Sequence, residues 1–449
     1  MKCVATILTV FTALSLGAQG EVTILAAVEG CAIPLQVYAF TGFGFEPVAV
    51  LEQNERGDQS ASVSVDEPVF RYLGPTPADA LPLILTGGDT IEVEGSCGQM
   101  RQATVASSPI NAAYTQLKAT FDEQNERYST LVQDIEVVRD ERVNRDGREA
   151  MRELDEEKRQ LVQQLKEAYP ILGRIASLNT YLSHYSAEEG QYANQLDHYI
   201  GTFFQFVDFG DSGYDDLAWT YEGGRNFTDN LLRALPADRL TEAVLEQTGR
   251  WPAGSRARFM ARSGALASLL TKKHPAGLEV ADQLIEEYAD AYPDPIAALR
   301  QQTAPLRSSA IGAPAPLFTA STPDGGEISL ESLRGKVVLL DFWASWCGPC
   351  RRENPNVVRM YNKYKDEGFE ILGVSLDDRK DRWENAIAAD KLTWLHVSDL
   401  RGWKSEYGQL YGVTSIPQTV LLDRDGNILA RNLRGRDLER KLAEVLGVK

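Results

Sequence analysis

The chain has 449 residues, more than one hydrophobic core usually serves, and its 43% apolar and 24% charged composition is ordinary for a globular protein with several domains. The net charge of −18 is uneven: residues 21–110 carry 3 basic and 12 acidic side chains, residues 111–310 carry 22 and 32, and residues 311–449 carry 20 of each. The acidic front half argues against nucleic acid and against an anionic membrane as partners.

The first 20 residues have the pattern of a secretory signal peptide. Lys2 precedes an apolar run from Val4 to Leu16, and Ala18-Gln19-Gly20 offers small residues at the cleavage positions. We therefore expect cleavage near Gly20 and export to the periplasm or cell envelope. An uncleaved anchor is the alternative, although the apolar run is short for a helix that spans a membrane.

Residues 21–110 are predicted to form an all-β sandwich. Short apolar and β-branched runs alternate there with turn residues such as Gly57-Asp58, Gly74-Pro75 and Gly87-Gly88-Asp89. The predicted strands are Val22–Val28, Leu35–Phe40, Val48–Leu51, Ala61–Val65, Val69–Leu73, Leu81–Leu85 and Thr90–Val93. Several aromatic side chains are expected in the core, with a binding face as the alternative. They are Phe40, Phe43, Phe45, Phe70 and Tyr72.

Four cysteines remain after removal of a signal peptide, which would take Cys3 with it, and two of the four lie in this acidic region. Cys31 follows Glu29-Gly30, and Cys97 follows Glu94-Gly95-Ser96, so their contexts are similar. In an oxidising compartment we favour a structural disulfide between them, and two buried free thiols are the alternative.

Residues 111–310 are predicted to be helical. We place a break at Asn144-Arg145-Asp146-Gly147, so that the first two helices form a long antiparallel hairpin. The apolar stripe of the first helix is Tyr114, Leu117, Phe121, Tyr128, Leu131, Ile135 and Val138. A coiled coil that joins two copies as a homodimer is the alternative use of this stripe. Further breaks are expected at Pro170, Gly210-Asp211-Ser212-Gly213, Gly223-Gly224 and Pro293-Asp294-Pro295.

The helical region also holds the richest aromatic cluster of the sequence. Its members are Tyr199, Phe203, Phe204, Phe206, Phe209, Tyr214, Trp219 and Tyr221. We expect these rings to pack the helices together, and a groove for an unfolded client is the alternative. His184, His198 and His274 lack the spacing of metal ligands, so no metal site is expected.

Residues 311–449 are predicted to form an α/β domain. Ile311–Pro316 is a connector in which proline and glycine exclude a helix, and Pro323-Asp324-Gly325-Gly326 is a hairpin turn. Strands are predicted at Val337–Leu340, Phe369–Val374, Leu395–Val397 and Thr419–Leu422. Helices are predicted to begin near Cys347 and to cover Trp383–Asp390 and Leu438–Leu446.

The centre of this domain is the stretch from Asp341 to Cys350, with the sequence DFWASWCGPC, where a buried strand gives way to a helix. The first helical turn offers unpaired N–H groups and the positive end of the helix dipole, which stabilise a thiolate on Cys347. Cys350 lies one turn on and can attack a mixed disulfide formed by Cys347, so the pair can cycle between dithiol and disulfide. Asp341 would be buried beneath the pair, with its pKa raised by desolvation, and can relay protons to Cys350.

The alternatives for this motif are structural. The cysteine pair can be a structural disulfide or half of a zinc site, although no cysteine follows Cys350 and His396 is the single histidine of the segment. Asp341 can be a carboxylate satisfied by a backbone donor at the strand end. Trp346 can serve packing or contact a substrate.

The run DFWASWCGPC resembles the active site of thioredoxin, and its flanks resemble the extracytoplasmic TlpA-like branch, which is related to the AhpC/TSA redoxins. Pro355 falls where thioredoxins kink the active-site helix. Ile416-Pro417 resembles the cis-proline loop that lies beside the cysteines in this family and pairs with the substrate backbone. The resemblance covers residues 311–449 and implies a thioredoxin fold with Ile416 and Pro417 in the docking groove.

By this resemblance the protein is a thiol-disulfide oxidoreductase of the cell envelope that needs no cofactor beyond the redox-active Cys347–Cys350 disulfide. Gly348-Pro349 is the dipeptide of reducing thioredoxins, which favours a reductase. An envelope reductase needs electrons from outside its compartment, so a membrane thiol relay is the implied donor. Disulfide-bearing proteins such as apocytochrome c are the implied clients. The segment from Gly87 to Gly95, GGDTIEVEG, resembles the DUF4369 module that often precedes TlpA-like domains.

Three other functions stay open on the sequence alone. An oxidase or isomerase can use the same scaffold. A peroxidase of the AhpC type would need threonine or serine three residues before the reactive cysteine, where this chain has Ala344. The acidic β and helical regions can also form a binding or assembly module that the redox domain regulates.

Overall fold

The computed structural model describes residues 20–55, 57–138, 140–186, 191–307 and 310–448. The predicted signal peptide, with Cys3, lies outside the described residues except for Gly20. The chain forms two compact units, one that ends at Ala297 and one that begins at Ala298. The fold class is confirmed, because a β region comes first, a helical region follows, and a thioredoxin-like fold closes the chain. The three domains, with boundaries at 20, 110 and 310, stay predictions.

Two sheets build the β region. Strands β4-β5-β1-β8-β9 form one sheet and β3-β2-β6-β7 the other. The strands are β1 (Gly20–Glu29), β2 (Gln36–Phe40), β3 (Phe45–Val50), β4 (Glu52–Gln53), β5 (Gln59–Val65), β6 (Val69–Thr76), β7 (Asp79–Leu85), β8 (Thr90–Ser96) and β9 (Thr104–Ala106). All seven predicted strands are present, and β4 and β9 were not predicted because two or three residues carry no period.

Both sheets contribute to one hydrophobic core in this region. Alternate residues of β1, such as Val22 and Ile24, are buried there, and Val37 of β2 and Leu73 of β6 lie in the same cluster. The face-to-face arrangement of a sandwich stays a prediction.

The break predicted at Asn144-Arg145-Asp146-Gly147 is wrong, although the hairpin is present. Its helices are α1 (Pro109–Glu136) and α2 (Glu141–Ala168). Asp140 begins α2, because its carboxylate accepts hydrogen bonds from the backbone N–H groups of the first turn. Gly147 lies inside α2, where an added Cβ would come within 3.1 Å of Ile135 Cγ1. The glycine therefore lets the two helices approach and is not a helix end.

The break predicted at Gly223-Gly224 is also wrong. The helices that follow are α3 (Pro170–Asn179), α4 (Gln195–Thr202), α5 (Ala218–Leu231), α6 (Ala237–Thr248), α7 (Arg256–Thr271), α8 (Ala276–Tyr288) and α9 (Pro293–Arg307). A Cβ on Gly224 would lie 1.9 Å from the carbonyl oxygen of Ala261, and a Cβ on Gly264 would lie 1.9 Å from that of Tyr221. Glycine lets α5 and α7 pack backbone against backbone.

The aromatic rings of the first unit contact one another. The ring centroids of Phe203 and Phe204 are 4.7 Å apart, and that of Trp251 lies 5.4 Å from Phe204. Phe40 of the β region lies 4.9 Å from Tyr221 of α5. These rings pack within the unit, and the binding face and client groove stay predictions. Among the helices of the described residues, none is both long enough and apolar enough to cross a membrane.

The second unit is built on a sheet in the order β14-β13-β12-β15-β16. Strands β12, β13 and β14 run parallel, and β15 and β16 are antiparallel to their neighbours. The elements are β10 (Thr319–Ser321), β11 (Glu327–Ser329), β12 (Val337–Trp343), α10 (Gly348–Tyr364), β13 (Phe369–Ser375), α11 (Lys380–Asp390), β14 (Leu395–Ser398), α12 (Glu406–Leu410), β15 (Gln418–Leu422), β16 (Ile428–Arg431) and α13 (Gly435–Leu446). The predicted strands and helices of this domain are confirmed, as is the hairpin turn between β10 and β11.

The alternation of β12 decides what lies beneath the cysteine pair. Leu340 and Phe342 belong to the core on one face of the sheet, and Leu339 and Trp343 belong to the core on the other face. That second core also contains Val357 of α10, as well as residues of α11 and α13. Asp341 has the same parity as Leu339 and Trp343, so its carboxylate points to the face that α10 covers.

Candidate active site

Cys347 and Cys350 are joined by a disulfide where α10 begins. Cys347 occupies the position before the first helical residue, and its Sγ accepts a hydrogen bond from the backbone N–H of Cys350 at 3.2 Å. After reduction, this donor and the helix dipole favour a thiolate on Cys347. Cys347 is 4% exposed and Cys350 2%, so solvent exposure does not distinguish the two sulfurs. Their positions differ, because Cys347 precedes the first residue of α10 and Cys350 lies inside the helix.

The carboxylate of Asp341 lies in the same cavity as Cys350. Burial raises the pKa of Asp341 to about 7. The positive charge of Arg434 lowers this pKa, and the negative charge of Glu353 raises it. Pro417 completes this part of the lining, and the cavity volume of about 10 Å³ is close to the space that one water needs. Cys350 and Asp341 therefore line one small cavity, partly open to solvent, across which a proton can pass.

Asp341 is shielded by strands on both sides. It pairs with Gly373 of β13 and with Thr419 of β15, and it is 6% exposed. A carboxylate at the edge of a sheet would meet water, whereas one in a central strand under a helix does not. The central position of β12 is therefore the physical cause of the raised pKa.

The Ile416–Pro417 peptide bond is cis, as the resemblance implied. The guanidinium of Arg434 donates a hydrogen bond to the carbonyl oxygen of Pro417. The next residue, Gly435, donates its backbone N–H to the carboxylate of Glu353 at 3.1 Å. The segment before α13 therefore connects the proline loop with α10 beside Asp341.

Sequence reasoning missed Arg434 and Glu353 as members of the site. Glu353 follows Cys350 by three residues on α10, so helical spacing alone could have placed it near the sulfur. Arg434 lies more than 80 residues from the cysteines in sequence. Because the place of Arg434 in the cavity depends on the packing of α13, no local sequence pattern predicts it.

Trp346 projects from a loop that buried hydrogen bonds hold in place. The backbone N–H and the hydroxyl of Ser345 both donate to the carboxylate of Asp377, which is 1% exposed. Arg351 donates to the carbonyl oxygen of Ser345 at 3.2 Å and forms an ion pair with Asp390. Trp346 itself stays 48% exposed, beside the disulfide.

The described residues of this site include no set of metal ligands. Across the part of the chain that the structure describes, no cluster of three or more histidine, cysteine or carboxylate side chains could hold a metal ion. A thioredoxin-like fold with a disulfide at a helix start, above a buried aspartate, defines the site of a thiol-disulfide oxidoreductase.

Comparison with known proteins gives the same class. The model of the AhpC/TSA family matches residues 311–431. Thiol-disulfide oxidoreductase ResA of Bacillus thuringiensis subsp. konkukian is 33% identical over 136 residues, which are 30% of this chain and 76% of that protein. Thiol:disulfide interchange protein HelX of Rhodobacter capsulatus is 32% identical over 137 residues, 30% of this chain and 69% of that protein. A solved thiol-disulfide oxidoreductase from Bacteroides fragilis NCTC 9343 is 39% identical, with 29% of this chain and 98% of that chain covered and a TM-score of 0.28.

The chain belongs to the ResA-like thiol-disulfide oxidoreductases of the AhpC/TSA family. This membership confirms the resemblance that the motif around Cys347 and Cys350 indicated. The DUF4369-like character of the β region stays a prediction.

Proposed function

We propose that this protein reduces disulfide bonds of protein clients outside the cytoplasm, with Cys347 as the attacking sulfur and Cys350 as the resolving one. The observation that carries the proposal is the disulfide at the start of α10, above Asp341, whose pKa is about 7. Membership of the oxidoreductase family supports the chemistry. The reducing direction rests on Gly348-Pro349, and export rests on the signal pattern of residues 1–20.

The reaction proceeds in two exchanges. The Cys347 thiolate attacks one sulfur of the client disulfide, forms a mixed disulfide and releases the other client sulfur as a thiolate, which takes a proton from water. Cys350 then gives its proton to Asp341 and attacks the sulfur of Cys347. This attack forms the internal disulfide and releases the second client sulfur as a thiolate, which takes a proton from water, while Asp341 returns its proton to water. Two electrons pass to the client, which gains two thiols. A membrane thiol relay is the proposed donor that returns Cys347 and Cys350 to dithiols.

The client chain is proposed to dock between Trp346 and the proline loop of Ile416 and Pro417. Pro417 lines the cavity of Cys350 and Asp341, and Trp346 stands exposed next to Cys347. Proteins of cytochrome c maturation, apocytochrome c among them, are the proposed clients. No cofactor besides the cysteine pair is required for the exchange. A homodimer through the helical region is a further proposal.

Reduction of insulin with dithiothreitol as the electron source tests the activity. We expect the purified protein to accelerate insulin reduction and to have a redox potential well below that of a strong oxidant. A potential in the range of strong oxidants would support the oxidase alternative, and peroxide consumption would support the peroxidase alternative.

Trapping tests the roles of the two sulfurs. A Cys350→Ser variant expressed in the native envelope should accumulate mixed disulfides with clients, because the second exchange cannot occur. The matched control is the Cys347→Ser, Cys350→Ser variant, which should trap none. Equal trapping by both variants would refute the assignment of Cys347 as the attacking sulfur.

A further inference from the structure

A second tryptophan stands beside the disulfide. Trp403 is 52% exposed, Trp346 is 48% exposed, and their ring centroids are 6.0 Å apart. Large apolar rings usually bury most of their area, since each exposed Å² costs about 25 cal/mol. Two neighbouring indoles held half in water beside a reactive sulfur therefore mark an interaction surface.

The two tryptophan-bearing loops share one buried support. The carboxylate of Asp377 accepts the N–H and hydroxyl of Ser345, which precedes Trp346. The carbonyl oxygen of Asp377 accepts the N–H of Gly402, which precedes Trp403, at 3.4 Å. Asp377, two residues after β13, is thus hydrogen-bonded to the residue that precedes each tryptophan.

The turn that carries Trp403 is also held in an unfavourable backbone conformation. Leu400 has a φ of 54°, in the left-handed region that a branched side chain seldom adopts. The hydroxyl of Ser398 accepts the N–H of Leu400 at 3.1 Å, and Asp399 accepts the N–H of Glu406 at 2.8 Å. Hydrogen bonds from Leu400 and Glu406 therefore hold this turn on both sides of Trp403.

The indoles of Trp346 and Trp403 supply the apolar part of this surface. The charge of Arg401, on the same turn, is paired with Glu406. Because Trp346 is the covalent neighbour of Cys347 and its ring centroid lies 6.0 Å from that of Trp403, a polypeptide whose cysteine reaches Cys347 comes close to these rings. A disulfide with no chain attached would react at the sulfur without covering Trp403.

We propose that Trp403, together with Trp346, forms a clamp for a large apolar or aromatic side chain that lies next to the reacting cysteine of an extended client polypeptide. This inference rests on the proposed function. Trp403 is then a residue for client selection and takes no part in the exchange of electrons.

Kinetics with matched substrates test the clamp. Two disulfide peptides that differ in phenylalanine or serine beside one cysteine are compared with hydroxyethyl disulfide, which has no chain. In Trp403→Ala we expect KM for the phenylalanine peptide to rise about 5- to 10-fold, the loss of one aromatic contact, with kcat unchanged. The serine peptide, hydroxyethyl disulfide and the redox potential should be unaffected. Trp403→Phe should restore most of the loss.

Leu317→Ala is the control, because Leu317 is a 50% exposed apolar side chain of the same unit. It should leave all three substrates unchanged. Equal effects of Trp403→Ala on all three substrates, or an unchanged KM for the phenylalanine peptide, would overturn the clamp. If the wild-type protein reduces none of the three substrates, the proposed function itself fails, and the two failures are thereby distinguished.

Discussion

The two disulfides within the described residues differ in the length of the loop that each closes and in their electrostatic surroundings. Cys31 and Cys97 are 66 residues apart and join the ends of the parallel strands β1 and β8, whereas Cys347 and Cys350 are 3 apart and lie at a helix start. In the chain-entropy model, a disulfide stabilises the fold because it lowers the entropy of the unfolded chain. The stabilisation is about 4 kcal/mol for a loop of 66 residues and about 2 kcal/mol for a loop of four. The long loop suits a bond that stabilises the fold, and the short loop suits one that opens and closes.

The local charge also differs between the two cysteine pairs. Glu29 and Glu94 lie near Cys31 and Cys97 in a region with few basic side chains, and a negative field disfavours the thiolate that exchange requires. Cys347 instead has the positive end of α10. Access does not explain the difference, since Cys31 and Cys97 are half-buried and Cys347 is almost fully buried. Electrostatics and loop length, more than exposure, distinguish a structural disulfide from a redox-active one.

The largest expected effect is the loss of activity in Cys347→Ser. Without the attacking sulfur, the rate of insulin reduction should fall to that of dithiothreitol alone, because no mixed disulfide forms. The double variant Cys31→Ser, Cys97→Ser is the matched control and should keep the wild-type rate. If this control also lost activity while still folded, the division of roles between the two disulfides would be wrong.

The free energy of unfolding should depend more on the Cys31–Cys97 disulfide than on the Cys347–Cys350 disulfide. Replacing Cys31 and Cys97 by serine should lower the free energy of unfolding of the first unit by about 4 kcal/mol, since the unfolded chain regains the entropy of the long loop. Guanidinium unfolding followed by circular dichroism measures this. The Cys347→Ser, Cys350→Ser variant should lose about half as much. A larger loss from the second variant would reverse the comparison.

Asp341→Asn should slow the second exchange. Loss of the proton acceptor should lower kcat by about 100-fold, the lower end of the usual range for general acid–base catalysis, and leave the first attack by Cys347 intact. Rapid-quench detection of the mixed disulfide should then show it accumulating. The wild-type pH profile of the rate should have an inflection near pH 7, and this inflection should be absent in Asp341→Asn. If Asp341→Asn kept the inflection, Asp341 would be excluded as its source.

The same carboxylate should make folding stability depend on pH. Its pKa is about 7 in the fold and near 3.8 in the unfolded chain, so between these values the folded state binds more protons. Stability is therefore lost as the pH rises from about 4 towards 7, by about 3 kcal/mol between pH 5 and 8. Oxidised Asp341→Asn should lack this contribution, and unfolding curves at the two pH values measure it.

The smallest expected effect comes from Arg434→Met. The positive charge of Arg434 lowers the pKa of Asp341, so its removal should move the inflection of the rate to higher pH. Arg436→Met is the control, because Arg436 is exposed in the first turn of α13 and does not line the cavity. An inflection that moved to lower pH, or equally in both variants, would contradict the proposed contact.

Much of the architecture followed from local pattern. Continuous apolar runs predicted β12, β13 and β15, and the junction at Cys347 predicted the helix that carries both cysteines. Two helix breaks were wrong because Gly147 and Gly224 were taken as signals for helix ends. Glycine in a helix has the same local signature whether it ends the helix or admits a neighbour, and only the neighbour decides.

What the sequence determined by itself is the redox motif, its position at a strand-to-helix junction and the parity that turns Asp341 towards α10. These depend on residues close together in the chain, where the periods of strand and helix are sufficient. Tertiary structure alone decided that Arg434 reaches the proline loop and that Trp403 stands beside Trp346. Those contacts join segments that lie far apart in sequence, so their geometry follows from how the sheet and its helices pack.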